Sequence, residues 1–155
     1  MKVPPLPAIS VDTREQLPYE FSGYVTERVK VDAGDYSLAG FHSGVSCERK
    51  SAIDLYGCVG SGRERFLRHL HLLAGVDRPA IVIEANLEVL AQGCPRTRIT
   101  PAQAIGSVIS WACEFRIPVF FCPNRAYAER VILKWLMSWW SHKHATSRSS
   151  ALTSS

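Results

Sequence analysis

The 155-residue chain lacks any cysteine pattern that would hold a soft metal. Its five cysteines, Cys47, Cys58, Cys94, Cys113 and Cys122, are odd in number and form neither a C-x-x-C pair nor a Cys/His cluster at ligand spacing. They read as reduced, mostly buried thiols. No run approaches the roughly 20 apolar residues that cross a bilayer. Pro4, Pro5 and Pro7 interrupt the one stretch placed where a secretory leader would lie. No membrane association is expected, and the protein is expected to be intracellular. No internal repeat is present. Charge of one sign is in short supply as well: 18 Lys and Arg against 14 Asp and Glu leave +4. That excess favours an anionic partner but decides little alone.

What is present is an ordinary globular composition, 46% hydrophobic and 21% charged, enough for one domain with a real core. Residues 1–7 are proline-broken and predict a flexible leader. Residues 144–155 are rich in Ser and Thr without apolar periodicity and predict a disordered tail, leaving 8–143 as the folded unit. Short strands are predicted at Ile9 to Asp12 and Thr26 to Val31, followed by a hairpin of Tyr36 to Ala39 with Gly44 to Lys50. From Ser51 the pattern is helical, broken by glycines between Gly57 and Gly62 and resumed from Arg63 to Leu73. Ala80, Ile81, Val82 and Ile83 form the continuous apolar run of a strand buried on both faces. Thr100 and Pro101 open another helix, Ile117 to Cys122 supply a second buried strand, and Asn124 caps a long last helix. Strands first, then helices alternating with buried strands, predict a three-layer α/β domain with a mixed central sheet flanked by helices.

The chemistry-bearing residues fall at the boundaries of these elements. Glu48-Arg49-Lys50 lies on a predicted strand, where alternate side chains share a face, so Glu48 and Lys50 project together and Arg49 points away. Asp35, in the turn-like Gly34-Asp35-Tyr36, would bring a second carboxylate alongside Glu48, and two acidic oxygens with a lysine beside them suit a hard divalent cation at a phosphodiester. Taken alone, Glu-Arg-Lys is more often a solvated strand edge. The order changes the weighting: Val11-Asp12-Thr13-Arg14-Glu15, then Gly34-Asp35, then Glu48-Arg49-Lys50 with Asp54, then Ser61-Gly62-Arg63.

In that order the chain resembles the nuclease domain of the XPF-type structure-specific endonucleases, of the PD-(D/E)xK superfamily. The signature G-D-(variable)-E-R-K-x-x-x-D is met by Gly34, Asp35, Glu48, Arg49, Lys50 and Asp54 without substitution. Val11 to Glu15, Ser61-Gly62-Arg63 and Ile81-Val82-Ile83-Glu84 are similar to its flanking motifs, so that the likeness covers about Ile9 to Trp139. The resemblance implies a restriction-endonuclease-like fold and a metal-dependent DNA endonuclease acting on branched, flapped or forked DNA in repair or recombination. Asp35 and Glu48 would hold Mg²⁺ or Mn²⁺, with Asp12 joining directly or through water, and Lys50 would activate the attacking water or stabilise the transition state. Arg14, Glu15, Arg49, Asp54 and Arg63 would contact phosphates or support the site, Arg49 by bracing the fold through Asp54 or Glu15 or by touching DNA. A homodimer or partner subunit through the C-terminal helices is also implied. The rival reading is a non-catalytic DNA-binding or scaffold subunit that keeps the fold.

Other residues take blander readings. Trp135 and Trp139 lie on an apolar helical stripe and suit a core or a dimer interface, and Trp140, off that stripe, is the better interface candidate. His69 and His71, two apart on a helix, do not share a face, which argues against a metal pair and predicts surface or partly buried residues.

Overall fold

The computed structural model describes residues 2–152, with side chains described through residue 145. Strands β1 (Ile9–Asp12), β2 (Thr26–Val29), β3 (Tyr36–Leu38), β4 (Val45–Ser51), β5 (Arg78–Glu84) and β6 (Val119–Phe121) form one six-stranded sheet in the order β2-β1-β3-β4-β5-β6. β3 and β4 make the predicted hairpin, pairing Tyr36 with Cys47 and Ser37 with Ser46. β3 also runs antiparallel to β1, whereas β1 with β2, β4 with β5 and β5 with β6 are parallel.

Parallel neighbours need long crossovers, and helices supply them. Helices α1 (Ala52–Val59) and α2 (Arg63–Ala74) join β4 to β5, and α3 (Leu87–Ala91) and α4 (Pro101–Phe115) join β5 to β6. α1 begins in a capping box in which Ser51 accepts from the Asp54 amide and Asp54 reaches back to the Ser51 amide. Thr100 and Gln103 form a second box ahead of Pro101 at the start of α4. Helix α5 (Arg125–Leu152) follows β6, with Asn124 accepting from the Tyr127 amide as expected of its cap.

β5 shows why the domain has three layers. Ile81 and Ile83 pack with Leu55, Phe66, Leu70 and Trp111 beneath α1, α2 and α4, while Ala80 and Val82 pack on the opposite face with Ile132, Leu136 and Trp140 of α5. A strand so covered must be apolar on both faces along its buried middle, which is what Ala80 to Ile83 showed in the sequence.

Four features depart from expectation. β6 is an edge strand and only partly buried, because no strand lies beyond it. α3 was not predicted: it is one short turn begun by Asn86, too brief for a periodic signal. Trp140 is core, 8% exposed, one turn beyond Leu136, and its indole N–H donates to the Pro4 carbonyl at 2.9 Å, fastening the leader to the last helix. Trp135 and Trp139 are instead the partly open ones. α5 runs past His144 to Leu152, where a disordered tail was predicted from composition; residues 153–155 lie outside the described residues. Among the described residues no helix is long and apolar enough to cross a membrane.

Gly34 sets the turn into β3. Its φ of +91° is left-handed, and a Cβ there would stand 2.2 Å from Ser46 Oγ and 3.0 Å from the Cys47 carbonyl oxygen. Gly34→Ala is expected to cost about 2 kcal/mol or more, from backbone strain plus the clash. Urea unfolding of the two proteins measures it, and a loss below about 0.5 kcal/mol would contradict the turn as drawn.

Candidate active site

The two-residue period of β4 sorts its charged residues between two layers. Val45, Cys47 and Arg49 face α5, whereas Glu48 and Lys50 face α2. Glu48 is 4% exposed. Its Oε1 lies 2.7 Å from Lys50 Nζ and its Oε2 lies 2.7 Å from His69 Nε2 on α2. Asp35 is locked alongside by the backbone: its N–H donates to the Cys47 carbonyl at 2.8 Å, and its carbonyl accepts from the Asp12 N–H at 2.9 Å. Its Oδ2 accepts from the Arg49 N–H at 2.8 Å. The turn therefore brings Asp35 against the strand of Glu48 and Lys50.

Burying acids is costly unless positive charge or donors compensate, and the two carboxylates fare differently. Burial pushes the Asp35 carboxyl well above its ordinary range, and the negative charge of Glu48 pushes it further, against the lowering effect of the Arg49 amide. Burial also opposes ionisation of Glu48, but the His69 hydrogen bond and the Lys50 charge outweigh it and hold Glu48 down at about 2. Lys50 is desolvated too, which would lower it, yet Glu48 beside it keeps the ammonium above its usual range. Lys50 is thus a charged donor at neutral pH.

On the α5 side of β4 lies a different assembly. Arg49 grips Glu84, at the end of β5, through Nε and Nη2 at 2.6 and 2.9 Å, and reaches Glu15 through Nη1 at 3.3 Å. Tyr19 donates its hydroxyl to Glu84 and accepts from Arg49 Nε at 3.2 Å, and the Arg125 guanidinium lies over the Tyr19 ring, 4.5 Å from its centroid. Burial would raise Glu84, but the bonds from Arg49 and Tyr19 keep its carboxyl low. Of the two roles open to Arg49, the structure shows bracing, through Glu15 and Glu84 and not through Asp54.

Four other predicted residues are engaged with partners of their own, and the Arg14 guanidinium also feels the negative charge of Asp35 and Glu48. Asp12 is buried with both oxygens engaged: Oδ2 accepts from Arg14 Nε at 2.6 Å and Oδ1 from the Val31 amide at 3.0 Å. In this arrangement Asp12 and Arg14 tie β1 to the segment after β2, with one donor on each Asp12 oxygen and one lone-pair direction left on each. Asp54 caps α1. Arg63 lies over Trp111, 5.3 Å from the ring centroid, and donates to Ser107 Oγ at 3.1 Å, packing the end of α2 against α4. Sequence reasoning set His69 aside because it was weighed only as half of a pair with His71. The readable signal was Phe66 and His69 three apart on one helical face, with Phe66 on the apolar side.

Asp35 and Glu48 offer hard oxygens, and the repulsion between them is what a divalent cation relieves, so the donor set suits Mg²⁺ or Mn²⁺. Among the described residues no three His, Cys, Asp or Glu side chains group in metal-holding geometry. Two carboxylates are a sufficient protein share for an ion that keeps several waters.

Asp35→Asn removes the buried like charge and keeps the acceptor for the Arg49 amide. A carboxyl raised in the folded state binds its proton more tightly there, so its stabilising proton is fully present below the unfolded pKa and lost as pH rises through the folded value. Metal-free Asp35→Asn should therefore melt like wild type near pH 4 and increasingly above it towards about pH 8. Thermal melts in chelator test this; equal melting at the upper pH would show that Asp35 is not destabilised by its surroundings.

The ERCC4 domain family matches residues 11–134. Among solved structures, XPF from Aeropyrum pernix is similar at 19% identity and a TM-score of 0.67, over 96% of this chain and 69% of that one. The same protein in complex with DNA is similar at 18% identity and a TM-score of 0.66, over 84% of this chain; this chain spans 64% of its length. No curated protein matches. The structural likeness shows the restriction-endonuclease-like fold, and the family match takes in β1, the Gly34-Asp35 turn, Glu48-Arg49-Lys50 and α5 as far as Lys134. The chain belongs to the ERCC4-domain family, that of the XPF-type nuclease domains.

Proposed function

We propose that the chain is a Mg²⁺- or Mn²⁺-dependent endodeoxyribonuclease that hydrolyses phosphodiester bonds in branched, flapped or forked DNA during repair or recombination. The observation that carries this reading is the buried Asp35, raised by the charge of Glu48, beside a strand face that also presents Lys50. A fold gains nothing from burying an acid against a second acid, but a cation-dependent site does. When bound, the cation would polarise the scissile phosphate, acidify a water and offset charge on the phosphoryl oxygens. Asp35 and Glu48 would hold it. Lys50, kept charged by Glu48, would stabilise negative charge developing on the phosphate, a role open to it as an ammonium, whereas a general base would have to be neutral. Arg65 and Arg68, exposed on the helix that carries His69, would contact the DNA backbone.

Purified protein incubated with labelled flap, fork and linear DNA should cut in Mg²⁺ or Mn²⁺. Asp35→Asn, Glu48→Gln and Lys50→Ala should each slow cutting at least about 100-fold. DNA binding without cutting in either metal would favour the scaffold reading, and undiminished cutting by Asp35→Asn would remove Asp35 from the mechanism.

We also propose that α5 mediates a homodimer or a contact with a partner subunit, supported by Trp135 and Trp139, partly open, and by Tyr127, 51% exposed on the same helix. Sedimentation equilibrium should show a dimer that Tyr127→Glu weakens. A wild-type monomer at every concentration, with and without DNA, would rule out the homodimer.

A further inference from the structure

Helix α2 turns Phe66 and His69, one turn apart, towards Glu48 and Lys50. Lys50 Nζ lies 4.9 Å from the Phe66 ring centroid, and the His69 ring stacks near Phe66 with centroids 6.1 Å apart and planes inclined by 25°. Glu48 is therefore held at both oxygens by groups that the Phe66 ring steadies: Lys50 on Oε1 and His69 on Oε2, each at 2.7 Å.

The protonation pattern follows from the partner. An ionised carboxylate only accepts, so the His69 Nε2 facing it carries hydrogen and donates. Each carboxylate oxygen has two lone-pair directions, so one donor on each oxygen still leaves one direction free on each. The terminal torsion of a glutamate is broad and roughly two-fold, and nothing intrinsic to the side chain selects an orientation. Two donors on separate oxygens do select one. Lys50 alone, a flexible point charge, would follow the carboxylate as it turned; the imidazole, fixed on a helix and stacked on Phe66, would not.

We infer that His69 is a positioning residue for Glu48, fixing that carboxylate in one orientation so that its free lone pairs meet the cation together with Asp35. This rests on the metal-dependent reading above and adds to it a residue from a separate element. It also makes α2 half of the site: without the helix, the strand supplies a carboxylate but no fixed aim for it.

The experiment is Mn²⁺ binding to the full chain without DNA, followed by electron paramagnetic resonance of the free ion. Two variants separate donation from packing: His69→Gln, whose amide nitrogen reaches about where Nε2 lies, and His69→Leu, which fills the space against Phe66 but donates nothing. His69→Leu is expected to bind Mn²⁺ about 10-fold more weakly, while His69→Gln stays within about threefold of wild type, the loss typical of an outer partner that orients a ligand. Both should melt like wild type in chelator, so that the loss is one of the site and not of the fold. Binding by His69→Leu as tight as wild type would overturn the inference, as would His69→Gln as weak as His69→Leu. A wild-type chain that binds no Mn²⁺ would sink the metal-dependent reading itself, an outcome distinct from either of these.

Discussion

Strand β4 lies inside the sheet, paired with β3 on one side and β5 on the other, and this fixes which way each of its side chains must point. A slip of one residue would exchange the layers, placing Arg49 under α2 and turning Glu48 towards α5. Register is secured by apolar residues that carry none of the chemistry themselves. Cys47 and Val45 belong to the core under α5, and in β5 the alternation of Ala80 and Val82 with Ile81 and Ile83 matches different layers. The hydrophobic pattern is thus what aims the acids.

The electrostatics follow from that geometry. Glu48, Glu15 and Glu84 each face a cation within the fold, Glu48 through Lys50 and the other two through Arg49. Asp35 differs in having no side-chain cation bonded to it among the contacts that hold it; its acceptor bond comes from a backbone amide. Burial and the Glu48 charge both work against its ionisation. Compensation has been completed around three acids and left incomplete at the fourth, which is the arrangement expected where charge is to be supplied from outside.

Much of this was legible in the sequence because it depends on short-range periodicity. The hairpin, the doubly buried β5 and the starts of α1, α4 and α5 announce themselves within a few residues, and the two-residue period already separated Arg49 from its neighbours. What could not be read was partnership across distance. Arg49 and Glu84 are 35 residues apart, and His69 and Glu48 are 21 apart; no local pattern says that β5 ends opposite β4, or that α2 crosses the strand at the height of Glu48. Asp54 is the opposite case, a partnership that is local: Ser51 and Asp54 form a capping box within four residues of sequence. Trp140 was read off the stripe by counting, whereas Leu136 to Trp140 is one turn of the same face.

The neighbouring cations of β4 show why the two positions carry different residues. Arg49 must engage Glu84 with two nitrogens and Glu15 with a third, across strands that arrive from different parts of the chain, and only a planar fork with several fixed donors satisfies both acids at once. A lysine there, a single point charge, could not reproduce the two-nitrogen grip on Glu84 together with the bond to Glu15. Lys50 meets other demands, with one close carboxylate, an aromatic ring at its side, and an ammonium whose three donors are not consumed by Glu48 alone. A guanidinium spread over the same space would sit bidentately on Glu48 and compete with His69 for its second oxygen. The rigid cation holds the scaffold, and the compact one is left beside the acids with donors to spare.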